Sequence, residues 1–307
     1  MTTVNVMDPY FGAKGDGVSD DTAAFRKALD EINKRKFIGS RAVWGGTVFA
    51  PLGVYLVSPL GKIPQHCGIE SDSRSTMLLA KPGSVGPMVR LATFHSRIQS
   101  ICIDCNDQDG VTAGVEMHEA QEMSGVFDCL ITRWKHVGIE VVQREDSQYN
   151  PQHMSVDDLE LYPSRYSTAD AVGLWVRNGV ARAGSMRHIT VNAAGRTSEL
   201  GYTPADSYAI RVDGTPAFKL SEIHTEHCET GIGVGMSGPQ SARGGIIDGL
   251  GCNNHTKHAI RFGPYTSKCV ALGVTNENPN RPADAVTIRD DVRGTTVTGP
   301  VGAYTTA

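Results

Sequence analysis

The chain has 307 residues, 40 % hydrophobic and 20 % charged, with a formal net charge of −4. That balance describes a folded protein and, without clustered Lys and Arg, excludes nucleic acid as the expected partner. No stretch approaches the roughly 20 apolar residues of a membrane span, and the opening MTTVNVMDPYFG lacks the charged flank and apolar core of a signal peptide, so neither a membrane nor a leader is expected.

In chain order the first element is a helix over 19–35, SDDTAAFRKALDEINKR. Ser19 or Asp20 is the expected cap, acidic residues are expected in the first turn, and Phe25, Ala28, Leu29 and Ile32 form one buried stripe. Two short strands follow, Gly46–Ala50 and Val54–Val57, around the turn Pro51-Leu52-Gly53. From about residue 86 a cadence repeats: a short alternating strand, a polar turn, then a second strand opening on a small residue. The first strands start near Ile101, Leu130, Leu159, Ile189, Ile223, Leu250 and Leu272. The second strands start at Gly114, Gly138, Gly173, Ala209, Gly231, Ala259 and Ala285.

Seven units at roughly 22- to 34-residue intervals lie in the period range of a solenoid. Strands this short bury their apolar residues only by stacking in parallel on the next unit. An antiparallel sandwich would need hairpin turns that this cadence lacks. The fold class expected is therefore all-β, a right-handed parallel β-helix with an N-terminal capping helix. Residues 1–85 form the cap and first rungs, and 86–307 the body with a short tail. Long inserts are expected at 143–153, 163–170 and 193–207. Seven scattered cysteines, an odd number, read as reduced packing residues; Cys102 and Cys105 have CxxC spacing, but no second pair completes a metal site.

The segment Phe11-Gly12-Ala13-Lys14-Gly15-Asp16-Gly17-Val18-Ser19-Asp20-Asp21-Thr22, with Gly45-Gly46-Thr47-Val48 and Pro51-Leu52-Gly53-Val54-Tyr55, resembles the opening of the pectate-lyase-like superfamily. That superfamily includes phage tailspikes and bacterial polysaccharide-degrading enzymes. The resemblance implies that this segment caps the solenoid and that Gly15-Asp16-Gly17 is a structural turn. It implies carbohydrate binding and often cleavage, a homotrimer and a place in a virion tail. It leaves open hydrolase, lyase, binding-only adhesin or structural rod. The Asn-Thr-Asp, Asp-Asp and Gly-His-Gly set of polygalacturonases is missing, Asp157-Asp158 standing alone.

Strand parity nominates the chemistry. If Leu159 and Leu161 point inward, then Asp158, Glu160 and Tyr162 point out, as do His188 and Asn192, and Glu222, His224 and Glu226, in the next units. Arg133 precedes them and Asn253 follows. Two carboxylates about 6.5–9.5 Å apart suit inverting hydrolysis, and crowding is expected to raise a carboxyl pKa for the acid role. A lyase would instead use His188 or His224 as base, helped by Arg133 or Tyr162, with Ca²⁺ offsetting the acids. Otherwise no cofactor is expected. On the second-strand face, Glu116, Glu140, Trp175, Arg211, Gly233 and Arg261 form another outward column. Trp175 and Arg211 suit stacking on and pairing with a sugar. Trp134-Lys135-His136 reads as a turn with local packing.

Overall fold

The computed structural model describes residues 3–34, 37–38, 41–42, 45–120, 123–143, 152–168, 170–177, 184–192, 207–238, 242–253, 258–276, 287–291, 295–298 and 303–306. Most of the inserts expected at 143–153 and 193–207, the residues Ala285 and Val286, and most of the tail lie outside these.

Two long parallel sheets run the length of the chain. The first stacks Thr3–Asn5, Gly46–Phe49, Cys67–Glu70, Arg97–Gln99, Gly125–Trp134, Ser155–Pro163, Ser185–Asn192, Lys219–Glu226, Ile246–Asn253, Val270–Asn276 and Thr296–Thr298. The second stacks Lys62–Ile63, Val89–Thr93, Ala113–Ala120, Val137–Val142, Val172–Arg177, Tyr208–Val212, Thr230–Val234, His258–Phe262, Thr287–Asp290 and Ala303–Thr306. Each rung pairs with the next rung in sequence, so the chain is a right-handed parallel β-helix.

Apolar columns fill the interior. Ile103, Ile131, Leu161 and Val191 are in register and fully buried, as are Val115, Ile139, Leu174, Ile210, Ile232 and Ile260 in the second sheet. The small residues opening the second strands have a steric cause. A Cβ on Gly173 would stand 2.6 Å from both the Ala209 carbonyl oxygen and Val191 Cγ1, and one on Gly138 would stand 2.6 Å from the Gly173 oxygen.

Two-strand parity misses a third segment of each rung. In the first sheet the strand bends at a left-handed residue, so Val126 and Cys129 both point inward although three positions apart. The bends are Asp128, Asp158, His188 and Glu222, with φ of 49°, 57°, 51° and 55°, continued by Gly249 and Gly273. The register skips these residues: Asp157 pairs with Arg187, then Leu159 with Ile189. Asp157 and Arg187 thus join the outer face as a further column.

The helix spans Thr22–Lys34 and covers the first rungs with Phe25, Ala28, Leu29 and Ile32. Of the two residues expected to cap it, Asp20 holds the first helical amide and Ser19 does not. Ser19 lies in the strand Asp16–Asp20, its hydroxyl donating to Asp16 at 2.8 Å, and the first helical turn holds no acid. Asp20 instead accepts from the Thr22 amide at 3.1 Å and from Lys81 at 2.6 Å, which pulls its carboxyl down to about 2; the Lys81 bond is the larger cause and the Thr22 bonds follow. Asp21 turns back and accepts from the Lys14 and Gly15 amides at 2.7 and 3.1 Å, closing the Gly15-Asp16-Gly17 turn. Gly15 has φ 63°, and a Cβ there would meet Met7 Cε at 2.6 Å. No helix among the described residues is long and apolar enough to cross a membrane.

Candidate functional site

Both outward faces carry polar side chains, and they differ in form. The first-sheet face is an open surface of paired charges. At its centre Arg74, from the turn between Cys67–Glu70 and Met77–Ala80, reaches three acids. Its guanidinium donates to Asp128 at 2.6 Å, Asp158 at 2.8 Å and Glu160 at 2.8 Å. Desolvation alone would lower its pKa, but the bonds to Asp128 and Asp158 carry it above the usual arginine value. Asp158 and Glu160 are therefore neighbours, as parity predicts, but they share one cation instead of facing an open gap. Arg133 is not that cation: at the end of its strand it binds Asp104 at 2.6 Å. Sequence reasoning missed Arg74 because it lies 86 residues before Glu160.

Tyr162 donates to Glu160 at 3.2 Å. Partial burial, and then the charge of Glu160, raise its pKa, so the phenol holds its proton. Two rungs on, Glu226 accepts from His224 at 2.8 Å, from Asn192 at 2.7 Å and from Asn253 at 3.4 Å. The bond from His224 is the main cause of its lowered pKa. Crowding was expected to raise a carboxyl pKa, yet Glu226 moves the other way because donors surround it. Between these groups His188 contacts Asp157 at 2.9 Å and Glu222 beyond it. The Asp157 bond is the largest cause of its raised pKa. Arg187 also holds Asp157, at 2.7 Å.

The second-strand face is recessed. Glu140, Trp175 and Arg211 occupy successive rungs in register. Glu140 is 3 % exposed and accepts from Arg177 Nε at 2.7 Å. The Arg177 and Arg211 guanidinium carbons lie 4.4 and 4.9 Å from the Trp175 ring centroid. The indole N–H donates to Asp213 at 3.2 Å, and Asp213 also accepts from Arg211 at 2.6 Å and from the Met236 amide at 2.7 Å. Arg211 is thus held by Asp213 and donates onward to Ser237 at 2.7 Å. Beside this group is a cavity of about 290 Å³ lined by Thr112, His136, Val137, Glu140, Asp170, Trp175 and Arg177. Of these, strand parity nominated Glu140 and Trp175; His136 was expected to be local packing, and Asp170 lies within an expected surface insert. Both precede second strands, where loops bring side chains over the sheet. Trp134 does pack: it is fully buried. All seven cysteines are buried and unbridged, and burial pushes the Cys102 and Cys129 thiols up to about 12.

Likeness to known proteins agrees with this architecture. Mannuronan C5-epimerase AlgE6 of Azotobacter vinelandii is 28 % identical over 200 residues, which is 64 % of this chain and 17 % of that protein. The chain spans less than a fifth of the length of the first relatives it matches. Among solved structures, the N-terminal fragment of bacteriophage Phi29 gene product 12 superposes with a TM-score of 0.67 at 15 % identity, covering 96 % of this chain and 57 % of that one. The Dettilon tailspike protein gives 0.61 at 13 % identity, covering 97 % and 62 %. Residues 3–242 match the family described as rhamnogalacturonase A/epimerase, pectate lyase-like, and the chain belongs to that family.

Proposed function

We propose that the chain binds and cleaves a polysaccharide, seating a sugar ring in the Trp175 cavity. The observation that carries this is the cavity itself, about 290 Å³ with an indole, two carboxylates, an imidazole and a guanidinium converging on it. An indole offers an apolar face to sugar C–H bonds, and carboxylates accept from its hydroxyls. Asp170 is exposed and placed to exchange a proton with a glycosidic oxygen or water. Glu140, fixed by Arg177, faces the charge that develops at the anomeric carbon.

A second location for the chemistry is favoured by the Tyr162 hydroxyl on Glu160, with Glu226 near enough to raise the same phenol. Here Asp158, Glu160, Glu222 and Glu226 are the carboxylates of a hydrolase, and His188 or His224 is the base of a lyase that would take Ca²⁺ against the surrounding acids. Likeness to a tailspike and a phage gene product supports a place in a virion tail, and the homotrimer is carried by the family resemblance alone.

The test is incubation with a panel of bacterial capsular and cell-wall polysaccharides, following new reducing ends and the ultraviolet absorbance of unsaturated uronates. Loss of about 100-fold in rate for Glu140→Gln or Asp170→Asn, with Glu226→Gln active, assigns the cavity; the reverse assigns the first-sheet face. Absorbance identifies a lyase. Binding without cleavage would make the chain an adhesin, and neither binding nor cleavage would refute the proposal.

A further inference from the structure

We propose that His66, His95 and Met123 form a copper(I) site on an edge of the solenoid, away from both polar faces described above. One or two residues before the opening strand of each rung the backbone takes a left-handed turn. Successive rungs put His66, His95, Met123 and His153 there, with φ of 61°, 58°, 61° and 52°. The alignment follows from the register, because Gly68, Arg97, Gly125 and Ser155 pair in turn. Later rungs carry Ala217, Gly244 and Lys268 at the same place. Such a turn tolerates His but favours Gly, and it gives no reason for Met. The thioether on the rung after two imidazoles therefore calls for a cause other than backbone geometry.

The first two rings are already close. His66 and His95 meet edge to face with centroids 4.7 Å apart, and their Nδ1 atoms are 3.0 Å apart. The Gln65 amide nitrogen lies 3.2 Å from His66 Nε2. An amide nitrogen only donates, so His66 Nε2 accepts and its proton sits on Nδ1, donated to His95. Two nitrogens bound at about 2.0–2.1 Å to one cation stand about 2.9–3.4 Å apart for angles of about 90–110°. The pair thus has the separation of adjacent ligands. Binding requires the His66 proton to move to Nε2 and Gln65 to turn its oxygen toward it.

Met123 occupies the next rung, about 4.8 Å along the axis. It is 71 % exposed, and its side chain, flexible about three torsions, supplies the thioether of the proposed site. Imidazole with thioether selects copper(I) over zinc and the harder divalent ions.

The experiment is competition of the full chain with bicinchoninate for copper(I) under reducing, anaerobic conditions, with zinc as a second probe. X-ray absorption then reads the nitrogen and sulfur shells. Wild type should take about one copper with a sulfur scatterer. His95→Asn, which keeps a residue suited to the left-handed turn, should weaken copper by at least about ten-fold. Met123→Leu should abolish the sulfur shell and weaken copper but leave zinc unchanged. Gln65→Glu should tighten copper, because a carboxylate fixes the Nε2–H tautomer. No binding, or copper affinity equal in wild type, His95→Asn and Met123→Leu, overturns the site. Dependence on His95 with no sulfur shell in wild type overturns the role of Met123.

Discussion

Replacing Arg74 by Met removes one cation and leaves three acids facing one another, so its consequence can be worked from the geometry. The Arg74 side chain is 23 % exposed, and those of its partners Asp128, Asp158 and Glu160 are 42, 64 and 44 % exposed. Exposed ion pairs contribute about 0.2–1 kcal/mol each. Three that share a half-buried guanidinium belong near the upper end, giving about 2 kcal/mol. Asp128 and Asp158 also sit on neighbouring rungs about 4.8 Å apart, and their unscreened repulsion adds about 1 kcal/mol. The expected loss at pH 7 is therefore about 3 kcal/mol, or roughly 5 °C in Tm.

The pH dependence has a definite sign. Like charges repel only while they are ionised, so without Arg74 the penalty is full at neutral pH. It fades as pH falls through the usual carboxylate range near about 4. Thermal unfolding at pH 7 and pH 3.5, in low and 1 M salt, measures this. The gap between variant and wild type should shrink in acid and in salt. A gap of the same size in all conditions would show that Arg74 acts by packing its methylenes, and a gap under 1 °C would show that the cluster contributes nothing.

Other changes have equally direct readouts. Asp20→Asn should cost stability at pH 7 and much less at pH 2, since a carboxyl held near about 2 stabilises the fold fully above its unfolded value of 3.8 and loses that effect as pH falls through 2; pH-resolved melting curves check it. Gly173→Ala should destabilise by about 1–3 kcal/mol by overpacking, because its Cβ meets a backbone oxygen of the next rung that cannot step aside. Tyr162→Phe should leave Tm within about 1–2 °C, and a drop in turnover of 100-fold or more would assign proton transfer to the first-sheet face. Trp175→Ala should weaken polysaccharide binding about ten-fold or more in a sedimentation or retardation assay, with unchanged affinity counting against the cavity.

The solenoid was legible because its signal is local and repeated. Ile103, Ile131, Leu161 and Val191 each sit in the same short pattern, and one rule of alternation finds them all. The same rule failed where one residue turns left-handed: between Phe127 and Cys129 the inward spacing changes from two to three, hiding a segment in every rung. Candidate acids were found because they lie on strands. Their partners were not, because Arg74 arrives from a turn two to three rungs away, and nothing local to it announces Asp128, Asp158 or Glu160. His136 and Asp170 escaped for a related reason, since side chains that precede a strand have no parity.

The bends themselves explain why functional groups gather where they do. A parallel stack fixes inward positions by packing and leaves outward strand positions free, but a left-handed bend costs a non-glycine residue of order 1–3 kcal/mol. Glycine would relieve that cost, as Gly249 and Gly273 do in the later rungs. The earlier rungs keep Asp128, Asp158, His188 and Glu222 at the bend, and their side chains bind Arg74, Asp157 and one another. Their contacts offset the backbone cost only while each partner is present, so charge and conformation are coupled there. Substituting glycine at Asp158 or Glu222 should therefore change stability little while altering the electrostatics of the face. A paired comparison of Glu222→Gly and Glu222→Ala separates the two effects: alanine keeps the strain and loses the contact, and so should be the less stable by about 1 kcal/mol. Equal stability of the two would mean that the bend carries no strain and that charged residues occupy it without cost.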